Sequence, residues 1–110
     1  MKTSTVLKRA KDYLATSEDD YAYTNKEAFI CYAIDNAMGS RHLKSARRVQ
    51  AMIQDRLRPY TVLENWLQGR HNIERISYGL MRFNEYRSQV QRTRHAWVDS
   101  MIAEFAANGD

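Results

Sequence analysis

The chain has few of the residues that cross-link a fold or interrupt its helices. Its 110 residues include one cysteine, one proline and four glycines. A single cysteine, Cys31, excludes an internal disulfide and a zinc ribbon or zinc finger, because these need several thiols. The longest apolar run, 28–34, is too short to cross a membrane, and the residues after Met1 lack the apolar stretch of a signal peptide. We therefore expect a soluble cytoplasmic protein without membrane contact.

Signals for β-strands are also scarce, since alternating β-branched residues are almost absent. This pattern predicts an all-α fold. We expect a single compact helical domain over residues 1–110, with five to six helices and a long C-terminal helix. A chain of this length buries only about two-thirds of its unfolded surface. It can fold alone, and a homodimer remains an open alternative.

The apolar spacing predicts the order of the helices. The first helix covers 4–16, and the second begins at a capping box formed by Thr24 and Glu27 and ends at Gly39. Apolar residues surround the second helix almost completely, which predicts that it lies at the centre of the fold. A third helix should begin after Ser40 and end near residue 57, because Pro59 prevents its continuation.

Beyond Pro59 the sequence predicts shorter segments and a long last helix. A short helix should open at 61–64 and end at Gly69, another should begin at Asn72, and the last should cover 84–107. Residues 17–25 are expected to form an acidic, tyrosine-bearing loop, and 107–110 a frayed tail. The predicted core residues are Phe29, Ile34, Ile53, Trp66, Leu67 and Trp97.

No catalytic, cofactor or metal motif stands out. The three histidines have no acidic or thiol partner at a metal-ligand spacing, and Cys31 lies among apolar residues in the middle of a predicted helix. Residues 39–45 lack the glycine that a phosphate-binding loop places before its lysine. We therefore expect no enzyme, no cofactor and no metal; an enzyme would need a site assembled from distant residues.

Charge is the strongest signal in the sequence. The net charge is +4, twelve of the seventeen basic residues are arginine, and Asp55 is the only acid in 36–63. Three alternatives remain open: solvated helix faces, a protein interface and a nucleic-acid surface. A helix-turn-helix fits poorly, because Asp35 and Ser45 occupy positions where that motif needs small or apolar residues. The candidate partner-binding residues are Arg41, Lys44, Arg47, Arg48, Arg87 and Arg94, with Tyr21 and Tyr23 of the 17–25 loop as an alternative contact.

Several short segments carry a resemblance to a known group of proteins. They are VLKRA at 6–10, FICYAI at 29–34, MIQDRL at 52–57, TVLENWL at 61–67 and VQRTRHAWVDSMIAEF at 90–105. Their order resembles small, mostly uncharacterised proteins encoded by tailed bacteriophages. The resemblance implies a phage product in the cytoplasm of a bacterial host, and it brings no activity that could be assigned to individual residues.

The leading functional expectation combines this context with the charge. We expect a non-enzymatic accessory protein that binds and inhibits or modulates a host macromolecule. Its partner would be a host protein or a protein–nucleic-acid complex, such as CRISPR or other anti-phage machinery, or the transcription machinery. The alternative is a small basic nucleic-acid-binding protein, monomeric or dimeric, whose arginines contact phosphates.

Overall fold

The computed structural model describes the backbone of residues 1–16, 26–78 and 80–110, and the side chains of 1–16, 26–60 and 91–110. These ranges form four α-helices: α1 (Thr3–Thr16), α2 (Lys26–Met38), α3 (Leu43–Tyr78) and α4 (Leu80–Ala107). A single 3-10 turn, Ser40–His42, joins α2 to α3. Across the same ranges there is no strand. The all-α prediction is confirmed, with four helices rather than five or six.

The smaller number of helices follows from the continuity of α3. This helix has 36 residues, contains Pro59 in its interior, and passes through Gly69 and Asn72. The predicted helix end near 57, the end at Gly69 and the new start at Asn72 are therefore wrong. A glycine costs a helix interior only about 1 kcal/mol relative to alanine. A proline costs about 3 kcal/mol, which the hydrogen-bonded turns on both sides of it can offset.

The predicted ends of the first two helices agree closely with the structure. The α1 helix begins one residue before the predicted position, and α2 ends at Met38. Gly39 follows with φ +62° and ψ −173°, a conformation that is essentially confined to glycine and stops the helix. The helix α4 begins at Leu80, four residues earlier than predicted. Thr24 and the expected 17–25 loop lie outside the described residues.

The core lies where α1 meets the other three helices. The α1 helix contacts α2, α3 and α4, whereas α2 packs mainly against α1 and α3. One side of α2 faces solvent, where Tyr32 is 47% exposed. The prediction that the second helix is central is therefore wrong, and α1 occupies that place. The buried apolar side chains include Val6, Leu7, Ala10, Leu14, Phe29, Ile30, Ala33, Ile34, Ala46, Val49, Ile53, Val98, Met101 and Phe105.

Several of the predicted core residues can be compared with this cluster. Phe29, Ile34 and Ile53 are fully or almost fully buried, as the sequence predicts. Trp97 is half-buried and packs against the edge of the core. The side chains of Trp66 and Leu67 lie outside the described residues. Three of the six predicted core residues are thus confirmed as buried.

Hydrogen bonds close the end of α4, within the residues 107–110 for which the sequence predicts a frayed tail. Gly109 has φ +78°, and its N–H donates to the carbonyl oxygen of Ala106 at 3.1 Å. The N–H of Asp110 donates to the carbonyl oxygen of Phe105 at 2.8 Å. These two bonds and the left-handed glycine between them form a Schellman motif, which satisfies the last carbonyls of the helix. The motif also turns Asp110 back towards α1.

Candidate functional site

Positive charge is concentrated at the start of α3. From residue 40 to residue 54 the chain contains no acidic residue. Arg41, Lys44, Arg47 and Arg48 are all exposed. The opposite side of the same turns is buried and consists of Ala46, Val49, Gln50 and Ile53. Helical periodicity therefore places the cations on the outward side, and we call these four residues the basic surface.

The position of the basic surface on its helix increases its positive potential. The first turn of α3 contains no acidic residue, and Arg41 belongs to the 3-10 turn directly before it. The N-terminal end of a helix carries partial positive charge. Each cation near that end therefore lowers the stability of the helix by a few tenths of a kcal/mol. Helix stability therefore does not explain these cations. Their fields add to that of the helix end and attract anionic groups.

Arg47 belongs to the fold as well as to the basic surface. Its Nη1 lies 3.1 Å from the Oδ1 of Asp35 on α2 and 2.7 Å from the Oε1 of Gln50. Gln50 is only 4% exposed, and its Nε2 donates to the carbonyl oxygen of Cys31 and to Asp35 Oδ1, both at 2.9 Å. This network joins α2 to the start of α3 and partly neutralises Arg47.

Arg48 connects the basic surface to the residues that precede α1. Its Nη1 donates to Thr3 Oγ1 at 2.9 Å, and its Nη2 donates to the carbonyl oxygen of Met1. Thr3 is fully buried and Arg48 is exposed, so this hydrogen bond lies at the edge of the buried region. The guanidinium is therefore held at two points, and Met1 lies against it.

Arg41 and Lys44 differ from their two neighbours in their surroundings. Both are exposed, and neither has an ion pair within the part of the chain that the structure describes. Leu43, between them in the sequence, is 50% exposed, and Met1 is 43% exposed. Exposed apolar residues and cations are the two kinds of group that protein interfaces combine, the apolar ones at the centre and the polar ones at the rim.

The structure places Arg94 in the core. Its side chain is 3% exposed, and its guanidinium carbon lies 5.4 Å from the centre of the Phe29 ring. His95 meets the same ring edge-on at 6.4 Å, and the Lys26 amine lies 5.5 Å from the Trp97 ring. These contacts join α4 to the first turns of α2. The expectation that Arg94 contacts a partner is therefore wrong.

The side chains of Arg87, Tyr21 and Tyr23 lie outside the described residues. Of the eight candidate residues, the structure brings Arg41, Lys44, Arg47 and Arg48 together on one side of α3. Sequence reasoning missed the residues that hold this surface in place, namely Met1, Thr3, Gln50 and Asp110.

The thiol of Cys31 is unsuited to nucleophilic chemistry at neutral pH. Partial burial raises its pKa to about 11, and the negative charges of Glu27 and Asp35 act in the same direction. The thiolate, which is the reactive and metal-binding form, is therefore scarce. Within the described side chains, no three His, Cys, Asp or Glu residues are grouped so that they could hold a metal ion. None of the described helices has the combination of length and apolar composition needed to cross a bilayer.

An open depression of about 550 Å³ lies along α4. Its lining residues are Gln91, Arg92, His95, Ala96 and Asp99. Asp99 is paired with Lys11, whose Nζ lies 2.5 Å from Asp99 Oδ1. This ion pair joins α4 to α1, and it engages the carboxylate found among the described residues that line the depression.

The basic surface is thus the described feature with the clearest capacity to recognise another molecule. It presents two cations for which the described residues supply no ion pair, two cations held by hydrogen bonds, and the exposed apolar residues Leu43 and Met1. Comparisons with protein-family models, with curated proteins and with solved structures find no significant match to this chain.

Proposed function

We propose that this chain is a non-enzymatic binding protein that contacts an acidic macromolecule through the basic surface. The observation that carries the proposal is the exposure of Arg41 and Lys44, without a described counter-charge, at the positive end of α3. Ionic attraction of this kind speeds association and selects partners of opposite charge. The protonated thiol of Cys31 and the ion pair between Lys11 and Asp99 support a binding role over a catalytic one.

The apolar side chains beside the cations favour a protein partner. Leu43 and Met1 are about half exposed and lie among basic residues. A phosphate backbone provides few apolar contacts for such side chains, whereas a protein surface can bury them at the centre of an interface. The proposed partner therefore presents carboxylates around an apolar contact.

The resemblance to tailed-phage proteins extends the proposal to a biological setting. In that setting the chain acts in the cytoplasm of a bacterial host and inhibits or modulates a host protein or protein–nucleic-acid complex. Anti-phage systems such as CRISPR and the transcription machinery are the proposed targets. A small helical protein that covers an acidic surface of such a target would block it by occupying the surface.

The test is an affinity capture from bacterial lysate, with and without nuclease, followed by mass spectrometry. It compares the wild type with the double variant Arg41→Glu/Lys44→Glu and with a matched control, Lys8→Glu/Arg9→Glu. The control changes the net charge equally at two exposed residues of α1. We expect one host protein to survive nuclease treatment with the wild type and the control, and to be lost with the first variant. Equal capture by both variants would contradict the proposal.

A nucleic-acid partner is the second candidate, and the acid-free stretch 40–54 favours it. Cations at the N-terminal end of a helix suit phosphate groups. In that case the affinity for a short DNA duplex should fall steeply with salt. Replacing Arg41 and Lys44 should then reduce the slope of log K against log salt by about 0.9 for each lost phosphate contact. Loss of every captured partner on nuclease treatment would move the proposal to this candidate.

A further inference from the structure

Asp110 caps α1 from the opposite end of the sequence. Its Oδ1 accepts a hydrogen bond from the Thr3 N–H at 3.0 Å, and its Oδ2 accepts one from the Thr3 hydroxyl at 2.7 Å. The carbonyl oxygen of Asp110 accepts a third from the Ser4 N–H at 2.7 Å. Lys2, which precedes the helix, has no side-chain oxygen to serve as a cap. Asp110 therefore satisfies two of the free amides at the start of α1.

The same threonine connects Asp110 to the basic surface. The Thr3 hydroxyl donates its one proton to Asp110, which leaves its lone pairs for a donor. That donor is Arg48, whose Nη1 lies 2.9 Å from Thr3 Oγ1 and whose Nη2 contacts the Met1 carbonyl. The carboxylate of Asp110 thus fixes the direction of the hydroxyl, and the hydroxyl fixes one end of the guanidinium.

We propose that Asp110 is a positioning residue for the basic surface, acting through the buried hydroxyl of Thr3 to hold Arg48 and Met1 in place. This inference rests on the proposed function, because the basic surface is the site that it positions. Asp110 itself carries the wrong charge to attract an acidic partner. Asp110 therefore strengthens binding by positioning the basic surface, whereas its negative charge weakens binding.

Because the two effects of Asp110 act in opposite directions, a substitution that removes its charge distinguishes them. Asp110→Asn and Glu104→Gln each remove one negative charge near the end of α4, and Glu104 pairs with Arg56 rather than with the Arg48 network. Net charge alone predicts that both variants bind an anionic probe slightly more tightly. Positioning predicts that Asp110→Asn binds more weakly, because the new amide group presents a donor where the Thr3 hydroxyl needs an acceptor.

The probe is a fluorescein-labelled poly-glutamate peptide, and the readout is its anisotropy at fixed, low salt. We expect Asp110→Asn to weaken binding by about fivefold, a usual coupling within one hydrogen-bond network, while Glu104→Gln binds at least as tightly as the wild type. In the background of Arg48→Ala, the weakening caused by Asp110→Asn should disappear.

The two proposals fail in distinguishable ways. If Arg41→Glu/Lys44→Glu loses binding but Asp110→Asn behaves like Glu104→Gln, positioning by Asp110 is overturned and the proposed function stands. If neither change affects binding, or the wild type does not bind, the proposed function fails for acidic polypeptides.

A second readout then decides on the positioning without any ligand. The guanidinium N–H signals of Arg48 in NMR spectra should show restricted rotation in the wild type and free rotation in Asp110→Asn. Identical Arg48 signals in the two proteins would overturn the inference.

Discussion

Phe29 and Phe105 each face an arginine guanidinium, and the strengths of these two cation–π contacts can be compared. Phe29 is 2% exposed and lies 5.4 Å from the buried guanidinium of Arg94. Phe105 is 8% exposed and lies 4.8 Å from the guanidinium of Arg56. Arg56 is solvent-exposed and pairs with the carboxylate of Glu104, whereas Arg94 is 3% exposed. Substituting each phenylalanine by leucine makes the same chemical change in two electrostatic settings.

The magnitudes follow from that difference. A phenylalanine-to-leucine change in a packed core costs about 1 kcal/mol at either site. The cation–π contact adds about 2 kcal/mol where the cation is desolvated and roughly 0.5–1 kcal/mol where it is exposed. Phe29→Leu should therefore lower the free energy of unfolding by about 3 kcal/mol, and Phe105→Leu by about 1.5–2 kcal/mol.

Thermal and urea unfolding followed by circular dichroism measure both losses. For a domain of this size, 1 kcal/mol corresponds to roughly 4–8 °C in Tm, so the two variants should differ by about 4 °C or more. A control, Arg94→Met, should reduce the extra cost of Phe29→Leu, because the cation that the ring faces is then gone. Equal losses from the two phenylalanine substitutions would refute the assignment of Arg94 to the core.

Three further predictions concern single residues. Because burial raises its pKa to about 11, Cys31 should react with iodoacetamide at pH 8 far more slowly in the folded than in the urea-unfolded chain; equal rates would contradict this. Pro59→Ala should raise the free energy of unfolding by about 1–3 kcal/mol, since it lets residue 59 bond the Asp55 carbonyl within a continuous α3; unchanged stability would indicate a break there. The hydrogen bond from Arg56 lowers the pKa of Glu104 in the folded chain. The ion pair therefore stabilises the fold above the unfolded-state pKa of about 4, and this stabilisation is lost as the pH falls through the folded-state pKa. The urea midpoints of the wild type and Glu104→Gln should therefore converge in acid.

The sequence predicts α1 and α2 well because their signals are local. A stripe of apolar residues at 3–4 spacing marks α1, and a glycine with positive φ marks the end of α2. The continuity of α3 is not predictable in the same way. Pro59 and Gly69 are local breakers, and the outcome depends on the turns and packing of the whole helix, which no short window contains.

The candidate site likewise contains residues that local sequence signals predict and residues that they do not. Helical periodicity alone brings Arg41, Lys44 and Arg48 to one side of α3, so the sequence suffices for them. The burial of Arg94 depends on which ring α2 presents to α4, and the sequence does not show that pairing. Gly109 is a readable helix stop, yet the contact from Asp110 to Thr3 joins residues 107 positions apart, and no local pattern reveals it.

The central claim is that the basic surface is where this chain meets its partner. The most direct test is the Kd for the nuclease-resistant host protein, measured for the wild type and for two variants of equal charge. We predict that Arg41→Glu/Lys44→Glu weakens binding by at least about tenfold, because like charges across an interface repel, while Lys8→Glu/Arg9→Glu changes it by no more than about threefold. Equal weakening by both variants would show that net charge alone governs binding, and it would contradict the assignment of the surface.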